Sequence, residues 1–273
     1  MYKRQPPTPV RRAQLLALEA MELSWDIDFA RRNALAEEAL ALARSAADVG
    51  ALASVLQRAI TGIWSPETLE QRRRLTAEQA DCAATLGDPA LAFWAQCGLA
   101  HCFVEHGELT EAHDAAERAH ALADELGQPT LLWFDRFIRA GLQLLHGNLA
   151  AGERLAEQAF RLGQEAGQPD AVLIYGAQIS FIRGYQGRMD EIIDMLRQSA
   201  SAFAGVPSFR AGLATTLYSL ELHDEARAIL EQAASDRFEH VGSGVVTLTA
   251  LATYADAAFQ ASDARASSWS SSE

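Results

Sequence analysis

Glycine and proline recur along this chain at a spacing of forty residues, and this spacing constrains the fold more than any other feature. Gly-x-Pro tripeptides stand at 87–89, 127–129 and 167–169, and a fourth follows at 205–207. A glycine just past a helix takes the left-handed conformation that closes the last turn. A proline two residues later cannot continue that helix but suits the first turn of the next one. The tripeptides therefore predict a series of separate helices.

A second glycine lies midway between these tripeptides, at Gly107, Gly147 and Gly187. Each forty-residue repeat then consists of helix, glycine, helix and Gly-x-Pro, which predicts a pair of antiparallel helices. Residues 149–162 carry apolar side chains at three- and four-residue spacings, as one face of a helix requires. Residues 131–145 are apolar around most of the predicted helix. One pair cannot bury both surfaces, so we expect the pairs to stack on one another.

Composition supports an all-helical fold and excludes several classes of protein. Alanine, which has the best helix propensity, makes up about a fifth of the 273 residues. Lys3 is the only lysine, so the chain has no phosphate-binding loop of the Gly-Lys-Ser/Thr type and no interior lysine for a Schiff base. The formal charge of −13 is unlike that of a general nucleic-acid binder, which needs a basic face.

The sequence also predicts the cellular location of the protein. The N-terminal residues lack the apolar core of a signal peptide, and no run of eighteen apolar residues occurs. Three cysteines are too few and too unevenly placed for a secreted disulfide framework. We therefore expect a cytoplasmic protein that does not enter a membrane.

We predict a linker or disordered segment at 1–9, a helical repeat domain at 10–262 and a serine-rich, disordered or truncated tail at 263–273. The tail starts like a further helix at Asp263 but then lacks an apolar stripe. It is either an interrupted repeat or a natural flexible tail. The predicted helix pairs cover 10–46, 47–87, 88–127, 128–167, 168–205 and 206–240, and a last helix covers 243–261.

The pattern Gly-x-Leu-x-x-Ala-x-x-Ala followed by Gly-x-Pro resembles the tetratricopeptide-like repeats of large bacterial regulators. The most typical stretches are residues 135–149 and 176–187. These regulators are signalling ATPases and relatives that carry a nucleotide cyclase or a LuxR-type DNA-binding domain. The resemblance implies a right-handed superhelix of antiparallel helix pairs that senses inducers or partners and restrains an attached ATPase. The sequence contains no ATPase, cyclase or DNA-binding motif, so the family's catalysis does not carry over.

A polar stripe on the first helix of the 128–167 pair is the main candidate for binding. Asp135, Arg139 and Gln143 are spaced by four residues on an otherwise apolar helix, and Tyr175 and Arg183 occupy repeat positions of this stripe in the next pair. We expect these five residues to line a concave groove for a ligand or peptide. The alternative is an Asp–Arg pair that satisfies itself at four-residue spacing.

The aromatic residues nearby are assigned a structural role. Trp94, Trp133 and Phe134 fit the apolar positions of their helices. We predict that they belong to the core between pairs and do not anchor a ligand.

A zinc site is a weaker candidate. Cys97 and His101 are four residues apart on one predicted helix, and His113 and His120 lie on the next, so paired helices could bring zinc ligands together. The spacing matches no zinc motif, however, and Cys97 also fits a small buried residue. We predict no cofactor, and we expect no enzymatic activity, because nucleophile elbows, phosphate cradles and His-Glu-x-x-His are missing from the sequence.

Arginine clusters at 11–12, 31–32 and 72–74 would be the basis of any nucleic-acid contact, but nearby glutamates predict solvated, ion-paired helix faces. The favoured function is a non-catalytic interaction or regulatory scaffold. Its partner would be a protein or peptide, such as an ATPase or cyclase domain of the same regulator. The alternatives are a small-molecule inducer sensor that uses the same groove and a truncated remnant of a larger regulator.

Overall fold

The protein is all-helical. In the computed structural model, the described residues form thirteen α-helices and four short 3₁₀ turns, and none of them lies in a β-strand. The predicted all-α class is confirmed. None of the described helices combines the length and the apolar character needed to cross a bilayer. The structure describes residues 8–25, 28–235, 237–242, 244 and 246–270, with backbone alone for residues 25 and 263–270.

The described residues divide into two compact units. The first spans residues 8–24 and 28–171, and the second comprises residue 25 and residues 172–270. The helices of the first unit are α1 (Pro9–Glu22), α2 (Phe29–Ser45), α3 (Val49–Gly62), α4 (Leu69–Leu86), α5 (Pro89–His106), α6 (Leu109–Leu126), α7 (Pro129–Leu145) and α8 (Leu149–Glu165). Those of the second are α9 (Ala171–Gln186, which starts at the last residue of the first unit), α10 (Ile193–Ala202), α11 (Pro207–Ser219), α12 (His223–Ser235) and α13 (Thr247–Ser270).

In five of the six predicted pairs, the two helices are in contact. In the first unit α1 packs on α2, α3 on α4, α5 on α6 and α7 on α8, and in the second α11 packs on α12. Contacts of α1 with α3, α4 with α5 and α6 with α7 join successive pairs of the first unit. Each predicted pair segment therefore holds two helices, and successive pairs of the first unit are in contact.

Six of the seven recurring glycines end a helix in the predicted way. They have φ between 59° and 85°, the left-handed region that favours glycine: Gly87, Gly107, Gly127, Gly147, Gly167 and Gly187. Gly205 departs from this pattern because α10 has already ended at Ala202, and its cap residue Phe203 has a φ of −115°. The tripeptide at 205–207 therefore starts α11 without closing α10.

The prolines of the tripeptides mostly begin the next helix. Pro89, Pro129 and Pro207 are the first residues of α5, α7 and α11, where the missing N–H costs no hydrogen bond. Pro169 lies instead in the turn before α9, which starts two residues later.

Alanine lets the first helices approach closely. Ala13, Ala17 and Ala20 on α1 are fully buried at three- and four-residue spacings. Gly62 at the end of α3 faces the same side of α1, where an added Cβ would stand 2.8 Å from the Ala20 Cβ. The buried guanidinium of Arg32 on α2 donates to the Gly62 carbonyl at 2.9 Å and so satisfies one of the free carbonyls at the end of α3.

The chain ends differ from the prediction where they are described. The last helix, α13, passes through Asp263 without a break and reaches Ser270, so the helix start predicted at Asp263 does not occur. Residues 271–273 of the predicted tail and residues 1–7 of the predicted linker lie outside the described residues. Thr8, the first described residue, caps α1 by accepting a hydrogen bond from the Arg11 backbone N–H.

Candidate functional site

A group of aromatic rings forms part of the surface of the first unit. We define the aromatic surface as Trp64, Trp94, His101, Phe134 and Phe137, all of which are partly exposed. Trp64 lies two residues after the end of α3, whereas the other four rings project from α5 and α7. The seven-residue spacing on α5 and the three-residue spacing on α7 each place two rings on one helix face.

These rings are in contact with one another in a continuous network. The ring centroids of Trp64 and His101 are 5.1 Å apart, and those of His101 and Phe134 are 6.4 Å apart. Phe134 also contacts Trp94 at 4.7 Å and Phe137 at 4.5 Å. Most of the pairs meet edge to face, which is a preferred arrangement of aromatic quadrupoles. Phe134 is thus the centre of the network and links α5 to α7.

Two buried rings support the aromatic surface from beneath. Phe93 is fully buried and Trp133 is 5% exposed. Phe93 meets Trp94 at a centroid distance of 5.2 Å, and Trp133 meets Phe137 at the same distance. Because interior side chains are close-packed, these contacts restrict the rotamers of the exposed rings. The aromatic surface is therefore a fixed arrangement.

An ion pair holds Trp64 at one edge of this surface. The Arg72 guanidinium lies 4.9 Å from the centre of the Trp64 ring and is almost completely buried. It donates two hydrogen bonds to the Glu105 carboxylate, at 2.9 and 2.5 Å, and a longer one of 3.3 Å to the Ser65 carbonyl. A bidentate arginine–carboxylate pair fixes geometry as well as charge. Arg72 is therefore a positioning residue for Trp64.

His101 belongs to this surface as a neutral ring. Its Nδ1 lies 2.9 Å from the Cys97 carbonyl, which can only accept, so Nδ1 carries the proton. Burial lowers the pKa of the His101 imidazole below its usual range, and the hydrogen bond to Cys97 opposes this shift in part. The ring then has no charge at neutral pH, which suits an aromatic contact.

The structure places the two zinc candidates in different surroundings. Cys97 is buried, and burial, with a contribution from Asp135, raises the pKa of its thiol well above the usual range. A thiol in this state is a poor metal ligand, since metals bind the thiolate. Across the described ranges, no three His, Cys, Asp or Glu side chains lie together as a group that could hold a metal ion.

The three members of the predicted stripe on α7 are engaged with protein groups. Asp135 is only 2% exposed and accepts from Arg136. Arg139 lies 3.4 Å from a carboxylate oxygen of Glu117 on α6. Gln143 accepts a 3.0 Å hydrogen bond from the side chain of Asn148 in the turn after α7. Asp135 can therefore reach a ligand only through other side chains, whereas Arg139 and Gln143 remain partly exposed.

Asp135 belongs to a cluster of charged and polar groups between α6 and α7. Its carboxylate lies 3.1 Å from His120 Nδ1, and Arg136 also reaches Asp124 at 3.3 Å. Burial raises the pKa of the Asp135 carboxyl above its usual range, and the nearby charges of His120 and Arg136 oppose the shift. The cluster joins two helices, and its four members are acids, a histidine and an arginine that satisfy one another.

The two remaining predicted residues, Tyr175 and Arg183, lie on α9 in the second unit. Tyr175 is partly exposed. Arg183 is mostly buried, with its Nε 3.1 Å from Glu191 and a hydrogen bond of 2.8 Å to Gln186. Within its own unit, Arg183 therefore fixes the turn between α9 and α10.

Sequence reasoning missed the aromatic surface. The core assignment is confirmed for Trp133, and Trp94 and Phe134 pack against a core cluster of buried residues while remaining partly exposed. A signal was available, because Trp94 and Phe134 are forty residues apart and so occupy equivalent positions of successive repeats. A large aromatic residue at the same position of two neighbouring helices indicates rings that meet in space.

Comparison with known protein families finds none that matches this chain. A search of curated proteins likewise finds no significant match. The resemblance to bacterial regulators thus stays a prediction, and function is inferred from the geometry of the first unit.

Proposed function

We propose that this chain is a non-catalytic scaffold that binds a protein or peptide segment, and that the aromatic surface makes the contact. The observation that carries the proposal is the network of five partly exposed rings, which pack against the buried rings of Phe93 and Trp133. Aromatic side chains dominate binding energy at protein interfaces, since they offer large contact area for few rotatable bonds. A surface fixed before binding also loses little conformational entropy when a partner arrives.

We further propose that the helix pairs form a right-handed, tetratricopeptide-like superhelix with a repeat of forty residues. Support comes from the left-handed glycines, which recur every twenty residues from Gly87 to Gly187. In this architecture the chain is the sensory repeat region of a bacterial signalling regulator, and its partner is that regulator's ATPase or cyclase domain. A cytoplasmic location agrees with three cysteines that are all free and buried.

A peptide selection tests the binding proposal directly, because it requires no assumption about the identity of the partner. A random peptide library is selected on the whole chain, and the affinity of the selected peptides is then measured for Trp94→Gln and Phe137→Gln. Each substitution removes one ring from the network, and we expect affinity to fall about 30-fold, the scale of an interface hot spot. The matched control is Tyr185→Gln, which removes a ring that is 72% exposed in the second unit.

Circular dichroism and urea unfolding establish that each variant is folded before affinities are compared. Selected peptides that bind both variants as tightly as the unsubstituted chain would contradict the proposal. Equal losses in the Tyr185→Gln control would do the same, since the effect would then not be specific to the aromatic surface.

A further inference from the structure

A second surface feature, separate from the aromatic surface, lies where α1 crosses α3. One face of α1 and two side chains of α3 enclose an open cleft of about 470 Å³. We call it the Arg58 cleft, after the arginine on its α3 side. It shares no residue with the aromatic surface. Its volume lies within the range of small-molecule sites.

The polar part of the Arg58 cleft is positively charged. Arg58 is partly buried, and its guanidinium donates to the Ser54 carbonyl and hydroxyl, at 2.8 and 2.6 Å. Arg11 stands on the α1 side and has an exposed side chain. Neither guanidinium forms an ion pair with any residue that the structure describes. No residue lining the cleft within those described ranges is acidic.

Several other arginines on the first two helix pairs, by contrast, use nearby glutamates as partners, at 2.5 to 2.8 Å. These ion pairs are Arg12–Glu38, Arg31–Glu19 and Arg44–Glu78. In a chain of net charge −13, two arginines that face one cleft without a carboxylate form a local site for an anion.

The remaining wall of the Arg58 cleft is apolar. Leu15 is 53% exposed and Leu18 is 37% exposed, and both line the cleft. Arg11, Leu15 and Leu18 are spaced by four and three residues, so they follow one another along the same face of α1. The charged end of the cleft at Arg11 is therefore followed along α1 by the apolar surface of Leu15 and Leu18.

We infer that the Arg58 cleft binds a small organic carboxylate with an unbranched apolar chain. The carboxylate lies between the guanidiniums of Arg58 and Arg11, because arginine presents paired N–H donors that match a carboxylate. The apolar chain lies along Leu15 and Leu18 and removes their exposed surface from water. A cation would face two like charges, and an uncharged hydrocarbon would leave both guanidiniums without a counter-charge.

Equilibrium dialysis with radiolabelled decanoate, kept below its micelle concentration, tests this assignment on the whole chain. We expect saturable binding of one decanoate per chain and at least about a tenfold loss of affinity in Arg58→Met, which keeps the side-chain length and removes the charge. The matched control, Arg74→Met, removes another arginine that has no ion pair among the described residues and is exposed on α4, and it should leave affinity within about twofold.

Arg11→Met provides a second variant if Arg58→Met does not fold, because the exposed Arg11 guanidinium has no ion pair to lose among the described residues. It should also weaken decanoate binding by several-fold. Failure of decanoate to bind, equal effects of Arg58→Met and Arg74→Met, or equally tight binding of decyltrimethylammonium would overturn the inference. None of these results bears on the aromatic surface, so the two proposals are tested independently.

Discussion

Removing the carboxylate of Glu105 is expected to cost more stability than removing the guanidinium of Arg72, although either change breaks the same ion pair. The reason is burial: the Arg72 side chain is 1% exposed, whereas that of Glu105 is 28% exposed. A charge left alone in the interior has lost its hydration, but a charge near the surface recovers most of it.

Glu105→Ala leaves the Arg72 guanidinium with two long hydrogen bonds, of 3.3 Å to the Ser65 carbonyl and 3.4 Å to the Thr68 hydroxyl. Breaking a buried pair from one side typically costs about 3–5 kcal/mol. Because water can reach the position of Glu105, we expect the lower end, about 3 kcal/mol.

Arg72→Met removes the buried charge and keeps most of the packed side-chain stem. The Ser65 carbonyl still accepts from the Thr68 hydroxyl at 2.9 Å and from the Thr68 backbone N–H at 3.1 Å. The Glu105 carboxylate, which is already partly exposed, is then hydrated by solvent. The expected cost is about 1 kcal/mol, close to that of one ordinary hydrogen bond.

Urea unfolding followed by tryptophan fluorescence measures this difference. Three of the five tryptophans, Trp64, Trp94 and Trp133, lie in the first unit. With Trp25 and Trp269 replaced by Phe in every variant, the signal reports on that unit even if the two units unfold separately. The exposed pair Arg12–Glu38 is the control, and Glu38→Ala should cost less than about 1 kcal/mol. A loss in Arg72→Met as large as that in Glu105→Ala would refute the reasoning, since attraction within the pair would then outweigh the cost of an isolated buried charge.

Three further results are expected. In urea unfolding, Gly62→Ala should destabilise the protein by about 1–3 kcal/mol, because the new Cβ meets Ala20 at 2.8 Å. Gly141→Ala, by contrast, has open space around it in α7 and should stabilise the protein by about 0.5–1 kcal/mol. When unfolding is measured as a function of pH, the free energy of unfolding relative to Asp135→Asn should fall as the pH rises from the ordinary carboxyl range through the raised pKa of Asp135. In this range the folded state retains a proton that the unfolded state has lost. A rise in the free energy of unfolding would contradict the assignment. Thiol reagents should label buried Cys97 slowly in the native state and rapidly in urea, and fast native labelling would contradict its burial.

The helix boundaries follow from local chemistry, which explains why most of them could be predicted. A left-handed residue after one helix and a proline in the first turn of the next depend only on a few neighbouring residues. The turn that contains Gly127 and Pro129 can therefore be predicted from the sequence alone. Asp263 shows the limit of this approach. An acidic residue after a polar one resembles a helix start, but a helix that is already formed simply continues through it.

The candidate site was harder to predict because it depends on which helix faces are covered. Asp135 and Arg139 share one face of α7 by their spacing, but spacing does not reveal that α6 packs there and buries the carboxylate. Phe134 is the preceding residue along the helix and points elsewhere, to a partly exposed position between Trp94 and Phe137. Side chains one residue apart on an apolar helix thus differ in exposure for reasons that lie in the neighbouring helices.

The alanine-lined contacts between helices have a consequence for the temperature dependence of stability. An alanine buries much less apolar surface than a leucine, while unfolding its helix exposes the same amount of polar backbone. Apolar exposure raises the heat capacity of unfolding and polar exposure lowers it. Segments such as α1, with Ala13, Ala17 and Ala20 as its fully buried positions, should therefore give a heat-capacity change below the usual value of about 12–15 cal/mol/K per residue. The free energy of unfolding would then vary only gently with temperature, and the protein would resist cold as well as it resists moderate heat.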